Sequence, residues 1–140
     1  MRIVVSACLL GENCKYSGGN NENKAVLNFV KDHEIIPVCP EVLGGLPVPR
    51  MPAEIVNGVA RCRDGRSVDD AFRSGAAKAL EIALKGKADL AILQSRSPSC
   101  GVKAVYDGTF SGKIIPGEGV FAALLRKNGI RAIDAADVDA

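Results

Sequence analysis

Hydrophobic and polar positions alternate between two kinds of run along the chain. Residues 2–7, RIVVSA, are apolar and β-branched without a polar face, the pattern of a strand buried on both sides in a parallel sheet. Cys8 follows at once. Residues 9–20 are rich in Gly and Asn and predict a loop. From Glu22 to Lys31 the apolar Val26, Leu27 and Val30 recur at helical spacing. Glu22 near the start and Lys31 at the end match the helix dipole. Residues 34–38, EIIPV, predict a second strand, and Cys39 follows it directly. Pro37 weakens the pairing of that strand, because proline has no N–H to give a ladder. The next stretch, PEVLGGLPVPRMP at 40–52, is broken by Pro and Gly and predicts a stiff loop without a helix.

AEIVNGVARC, residues 53–62, predicts a hairpin turning at Asn57-Gly58. Ser67 predicts a helix cap, with Asp70 three residues on. Val68, Ala71, Phe72, Ala76, Ala79, Leu80 and Ala83 give the helix its apolar face, and Gly86 stops it. Residues 88–93 predict another buried strand, and 102–115 a second hairpin around Asp107-Gly108. A helix over about 118–128 ends at Gly129, and 130–133 predict a last strand. Strands alternating with helices imply parallel pairing through crossovers. The expected fold is a single three-layer α/β domain over residues 1–140, with a mainly parallel, Rossmann-like sheet and β-hairpin insertions.

Composition narrows the function classes. The 140 residues are 47% hydrophobic and 24% charged, with a formal net charge of +2. That describes one ordinary domain with one core. No basic run or aromatic-interleaved stripe marks a nucleic-acid surface, so nucleic acid is not an expected partner. No apolar stretch has the length of a membrane span. The chain enters a strand directly from Met1 with no signal-peptide pattern, so a cytoplasmic location is expected. No oligomeric state is implied.

The five cysteines are Cys8, Cys14, Cys39, Cys62 and Cys100. The number is odd and no C-x-x-C occurs, which argues against a zinc ribbon, a thioredoxin-type dithiol and common ferredoxin spacings. Placement is the signal. Cys8 and Cys39 each follow a strand, and Cys100 lies just past a third in ILQSRSPSCG. In an open parallel sheet, ligands bind beyond the carboxyl ends of the strands. Three thiols therefore converge on one sheet edge. Soft sulfur ligands select zinc, copper(I) or iron–sulfur clusters. Structural zinc wants four closed ligands. Three cysteines without a nearby histidine suit a 4Fe-4S cluster with one iron open. The only histidine, His33, ends the first helix at the opposite edge and is expected to support that helix terminus.

Three separated motifs, SACLLGENCKYSGG, VCPEVLGGLPVPR and SRSPSCG, together with the late GEGVFAALL, resemble the thiouracil desulfurase (desulfidase) family over essentially the whole chain. The resemblance implies removal of sulfur from 2-thiouracil to give uracil, with a 4Fe-4S cluster bound by Cys8, Cys39 and Cys100. It also implies Glu41 and Ser97 as site residues. A small thiolated nucleobase is then the expected partner. The chain departs from the family's usual Asp by having Ser17 in the CKYSGG loop, which bears on substrate choice.

In the implied reaction, Glu41 activates a water as general base. Ser97, Ser99 or loop N–H groups hold the ring or the developing charge. Cys14 is expected to be a supporting or spare thiol, and Cys62 a packed strand residue. Gly44 and Gly45 either shape a stiff loop or let backbone approach a ligand. Arg50 and Arg96 either bind an anionic group or make structural pairs. Two other classes stay open: a metal-free enzyme with Cys100 as nucleophile, and a module that binds a cluster or metal without turnover.

Overall fold

The computed structural model describes residues 1–138. Its centre is a parallel sheet of β1 (Arg2–Ser6), β2 (Glu34–Val38), β5 (Leu90–Leu93) and β8 (Ala132–Asp134), in the order β2-β1-β5-β8. Two antiparallel hairpins stand apart from it: β3 (Ala53–Val56) with β4 (Val59–Cys62), and β6 (Ala104–Tyr106) with β7 (Ile114–Pro116). The helices are α1 (Lys24–Val30), α2 (Pro40–Leu43), α3 (Asp69–Lys85) and α4 (Val120–Lys127).

Alternation along the central strands builds two cores. Val4, Ala91 and Leu93 face Phe72 and Ala76 of α3 and Phe121 and Leu125 of α4. Ile3, Val5, Leu90 and Ile92 face Val26 and Val30 of α1. The sheet is thus covered on both sides, as a parallel sheet requires, and the expected three-layer architecture holds. From β1 the chain steps outward to β2, then returns across β1 to β5. The reversal puts a crevice at the carboxyl ends of β1 and β5.

The differences from the sequence pattern have local causes. Pro40 does not prevent a helix: it occupies the first position of α2, with Cys39 as N-cap, where a missing N–H costs nothing. Pro37 is tolerated because β2 is an edge strand, paired only through β1, with Pro37 opposite Val5. Ser67 does not cap α3. The N-cap is Val68, while the Ser67 hydroxyl accepts from the Asp69 N–H at 3.3 Å. The second hairpin closes through the longer loop 107–113, in which Asp107 accepts from Thr109 N–H at 2.9 Å. The last strand lies at Ala132–Asp134, slightly later than its apolar run suggests. No helix among the described residues is long and apolar enough to cross a membrane.

Candidate functional site

At the end of β1 the chain enters a 3-10 turn, Ala7–Leu10, closed by Gly11 at φ 97°. Cys8 sits in this turn and is buried. The following loop returns to it: the Asn21 N–H donates to the Cys8 carbonyl at 3.0 Å, and the Asn21 side-chain amide to Cys8 Sγ at 3.5 Å. Cys39 caps α2. Its thiol donates to the Cys14 carbonyl at 3.8 Å.

Cys100 is held by a turn that Ser97 organises. The Ser97 hydroxyl accepts from the N–H groups of Ser99 (3.1 Å) and Cys100 (3.0 Å), and the Ser97 carbonyl from Gly101 N–H (2.8 Å). The carbonyls of Pro98 and Ser99 in turn accept the first N–H groups of α4, those of Val120 and Phe121, each at 2.9 Å. These are donors a helix start leaves unpaired. Gly119 permits the approach, because a Cβ there would run into the Ser99 backbone. The GEGV segment is therefore the seat of the Cys100 turn.

Cys8, Cys14, Cys39 and Cys100 line one cavity of about 430 Å³. The two hairpins wall its outer side. Glu54 of β3 accepts from the N–H groups of Gly108 (3.0 Å) and Phe110 (3.2 Å) in the second hairpin's loop. Arg63 stands over the Phe110 ring and donates to the Phe110 carbonyl at 3.0 Å. Tyr106, Phe110 and Arg63 all line the cavity.

Glu41, in the first turn of α2, borders the same cavity and both of its oxygens are engaged. Oε1 accepts from Arg50 Nε at 3.0 Å and Oε2 from the Ser99 hydroxyl at 3.1 Å. The Arg50 and Glu41 side chains are 7% and 17% exposed, so this pair is largely shielded from water. An acid so placed stays aligned and keeps a lone pair for a further partner.

The thiols tune one another. The Cys14 thiol interacts with the sulfurs of both Cys8 and Cys39. Hydrogen bonding from Cys14 is the largest influence lowering Cys8 to about 7, with Asn21 adding to it against burial. Cys39 is also lowered to about 7, first by Cys14, then by the Val42 N–H and the Arg50 charge. Cys14 itself is pushed up, since each neighbour favours the form in which Cys14 keeps its proton. Cys100 is pushed up by burial, against a hydrogen bond with Ser6.

The donor set is soft and anionic, without imidazole. Among the described residues, no three Cys, His, Asp or Glu side chains are arranged to share a single metal ion. A thiol-only donor set lining one cavity fits the chemistry of an iron–sulfur cluster.

The structure brings Cys8, Cys39, Cys100, Glu41 and Ser97 to one cavity. It leaves Cys62 buried in β4 with Arg66 at 3.6 Å from its sulfur, and His33 beside the Met1 amine at 3.1 Å. Gly44 packs on the backbone of Ala71 in α3, so its role is helix contact rather than approach to a ligand. Arg50 is spent on Glu41, whereas Arg96 is exposed at the cavity rim. Sequence reasoning missed Ser6 and Asn21. Ser6 is buried, touches Cys100 and accepts from Gln94 N–H at 3.0 Å, bridging the ends of β1 and β5. A serine ending an otherwise apolar strand was the available signal.

Comparison with known proteins agrees with this geometry. The structure of a 4Fe-4S-dependent thiouracil desulfidase, TudS, superposes with a TM-score of 0.92 at 37% identity, covering 98% of this chain and 92% of that one. The uncharacterised protein YbbK of Bacillus subtilis (strain 168) is 42% identical over 94% of this chain and 93% of its own. The family model for 2-thiouracil desulfurase matches residues 3–137. The chain belongs to the 2-thiouracil desulfurase family.

Proposed function

We propose that the protein is a desulfidase that hydrolyses the C=S group of 2-thiouracil or a closely related thiolated nucleobase, releasing uracil and sulfide without net electron transfer. Cys8, Cys39 and Cys100 would hold a 4Fe-4S cluster. The observation that carries this reading is the convergence of thiols from three adjacent strand ends on one cavity bordered by a fixed carboxylate. The resemblance to a 4Fe-4S-dependent thiouracil desulfidase supports it.

When bound, the cluster supplies a Lewis-acidic iron for the thiocarbonyl sulfur. The chain's own residues do the rest. Tyr106 and Phe110 offer rings against which a flat heterocycle packs. The Ser97 hydroxyl, already accepting two N–H groups, keeps its own proton free to donate to the base. Glu41 takes a proton from a water that adds to the carbon bearing sulfur, and the sulfur leaves with the bonding pair. Arg50 and Ser99 hold the Glu41 carboxylate in place.

Glu41→Gln tests the assignment. Sulfide release should fall about 10²–10⁴-fold, the usual worth of a general base, while the cluster's visible absorption is unchanged. Full activity in that variant rejects Glu41. A colourless but active wild type rejects the cluster and favours the thiol enzyme. Bound iron without turnover of any thiolated base leaves only a cluster-binding module.

A further inference from the structure

The desulfidase reading gives no task to Glu54 of β3 or to Arg63, just after β4, although both line the cavity. The two side chains converge on one residue of the second hairpin's loop, Phe110, which lines the same cavity.

Phe110 has φ 55°, a left-handed conformation that bulky residues rarely adopt. Such backbone persists only where the surroundings over-determine it. The Phe110 N–H donates to Glu54 Oε1 at 3.2 Å, and the Phe110 carbonyl accepts from Arg63 Nη2 at 3.0 Å. Side chains from the first hairpin and its edge thus bind both main-chain polar groups of this residue. The Arg63 guanidinium also lies 5.7 Å from the centre of the Phe110 ring, within cation–π range. Glu54 Oε1 takes the Gly108 N–H as well, at 3.0 Å. A Cβ on Gly108 would sit 2.7 Å from the Ile55 carbonyl oxygen, so the two hairpins meet closely beside this clamp.

The rest of the loop is fixed by its own residues. The Asp107 N–H donates to the Lys113 carbonyl at 2.9 Å. Asp107 Oδ1 accepts from the Thr109 N–H at 2.9 Å and from the Thr109 hydroxyl at 2.6 Å. None of these bonds reaches Phe110.

We infer, resting on the desulfidase reading, that Glu54 and Arg63 are positioning residues acting through Phe110: by holding its left-handed backbone they shape the cavity wall on which the thiolated base binds. They set affinity for the base and leave the chemistry at Glu41 untouched. A wall held in place before the substrate arrives spares ordering that binding otherwise costs.

The test uses the anaerobic, iron-loaded protein, with 2-thiouracil as substrate and sulfide release resolved into kcat and KM. Glu54→Ala should raise KM at least about tenfold and change kcat less than about threefold, the mark of lost uniform binding. The iron count should not change. Glu54→Gln keeps an acceptor oxygen and should recover most of the KM. Arg63→Ala, at an exposed position, should raise KM in the same direction. Phe110→Asn accepts the left-handed backbone but lacks the ring, and its KM should rise as in Glu54→Ala. Adding Glu54→Ala to Phe110→Asn should then raise KM no further, because the two residues act as one unit. Unchanged KM in both Glu54→Ala and Arg63→Ala overturns the inference alone. So does full additivity in the double variant, which would make Glu54 a direct contact of the base. Loss of iron in both Glu54 variants also overturns it, by making Glu54 a support of the cavity as a whole. A wild type that holds iron and releases no sulfide from any thiolated base overturns the desulfidase reading beneath it.

Discussion

Two of the cavity's walls are built differently. One carries Cys39, Glu41 and Cys100 and is locked by backbone contacts. The short α2 lies so close to α3 that a Cβ on Gly44 would enter the Ala71 carbonyl, and one on Gly75 the Pro40 carbonyl. The Cys100 turn is seated on the N-terminus of α4. The other wall is the loop over 11–23, with Tyr16 48% exposed and its hold on the body limited to a few hydrogen bonds. Cys8 belongs to the rigid turn at the end of β1 but faces this loop through Asn21. The first wall is thus fixed by close backbone packing, the second by hydrogen bonds alone.

Gly75→Ala puts the rigid wall to the strongest test. The new methyl must displace α2, and overpacking of this kind costs about 1–3 kcal/mol or more. Cys39 and Glu41 ride on α2, so iron retention should fall with stability in denaturant melts. Gly45→Ala is the control. Its φ is 93° with open space around it, so the cost should be the left-handed strain of about 1–2 kcal/mol, with iron retained. Equal behaviour of the two variants would erase the difference between the walls at this point.

Arg50 joins the walls and gives the next effect. Its N–H donates to the Tyr16 carbonyl at 2.7 Å, and its side chain holds Glu41 from the opposite side. Arg50→Ala leaves Glu41 half-paired. Full burial would make that loss about 3–5 kcal/mol, but the remaining exposure of Glu41 reduces it to about 1–3 kcal/mol. Sulfide release should drop about tenfold or more at unchanged iron content. Arg50→Lys should recover part of the stability and little of the activity, because an ammonium does not reproduce the Nε geometry. Activity unchanged in Arg50→Ala would separate Glu41 alignment from catalysis.

Much of the rigid wall was legible in the sequence. The uniformly apolar runs at β1 and β5 announce strands buried on both faces, and a cysteine placed at or just past a strand end announces a ligand edge. What escaped is set by contacts between distant segments. The PEVL helix is hidden by a proline that disrupts helices everywhere except the first turn. Gly44 and Gly75 are 31 positions apart in the numbering, and their shared role exists only once α2 meets α3. Cys14 has no strand before it, so no periodicity places it; only the return of the loop to Cys8 through Asn21 does. Glu41 was readable as a nearby acid, but its anchoring by Ser99 depends on the Cys100 turn folding back across the cavity.

The smallest effect, and the one most specific to the contact between the walls, is a pH dependence of the cluster-free protein. Cys8 and Cys39 are lowered to about 7 from an ordinary thiol value of 9.0, chiefly because the single Cys14 S–H lies between them and can donate to one or the other. A thiol depressed on folding is ionised in the folded chain and protonated in the unfolded one between those two values. The unfolded state then binds more protons, so stability should rise as pH goes from about 7 to 9 and be lost as pH falls through 7. Cys14 and Cys100, which shift upward, act above that window. Iodoacetamide should label Cys8 and Cys39 half-maximally near pH 7, ahead of Cys14 and Cys100. Cys14→Ala removes the shared donor, so both midpoints should move up toward the ordinary thiol value and the stability slope should flatten. Midpoints that stay near 7 without Cys14 would assign the depression to Asn21 and Arg50 instead. The loop wall would then touch the rigid wall without tuning it.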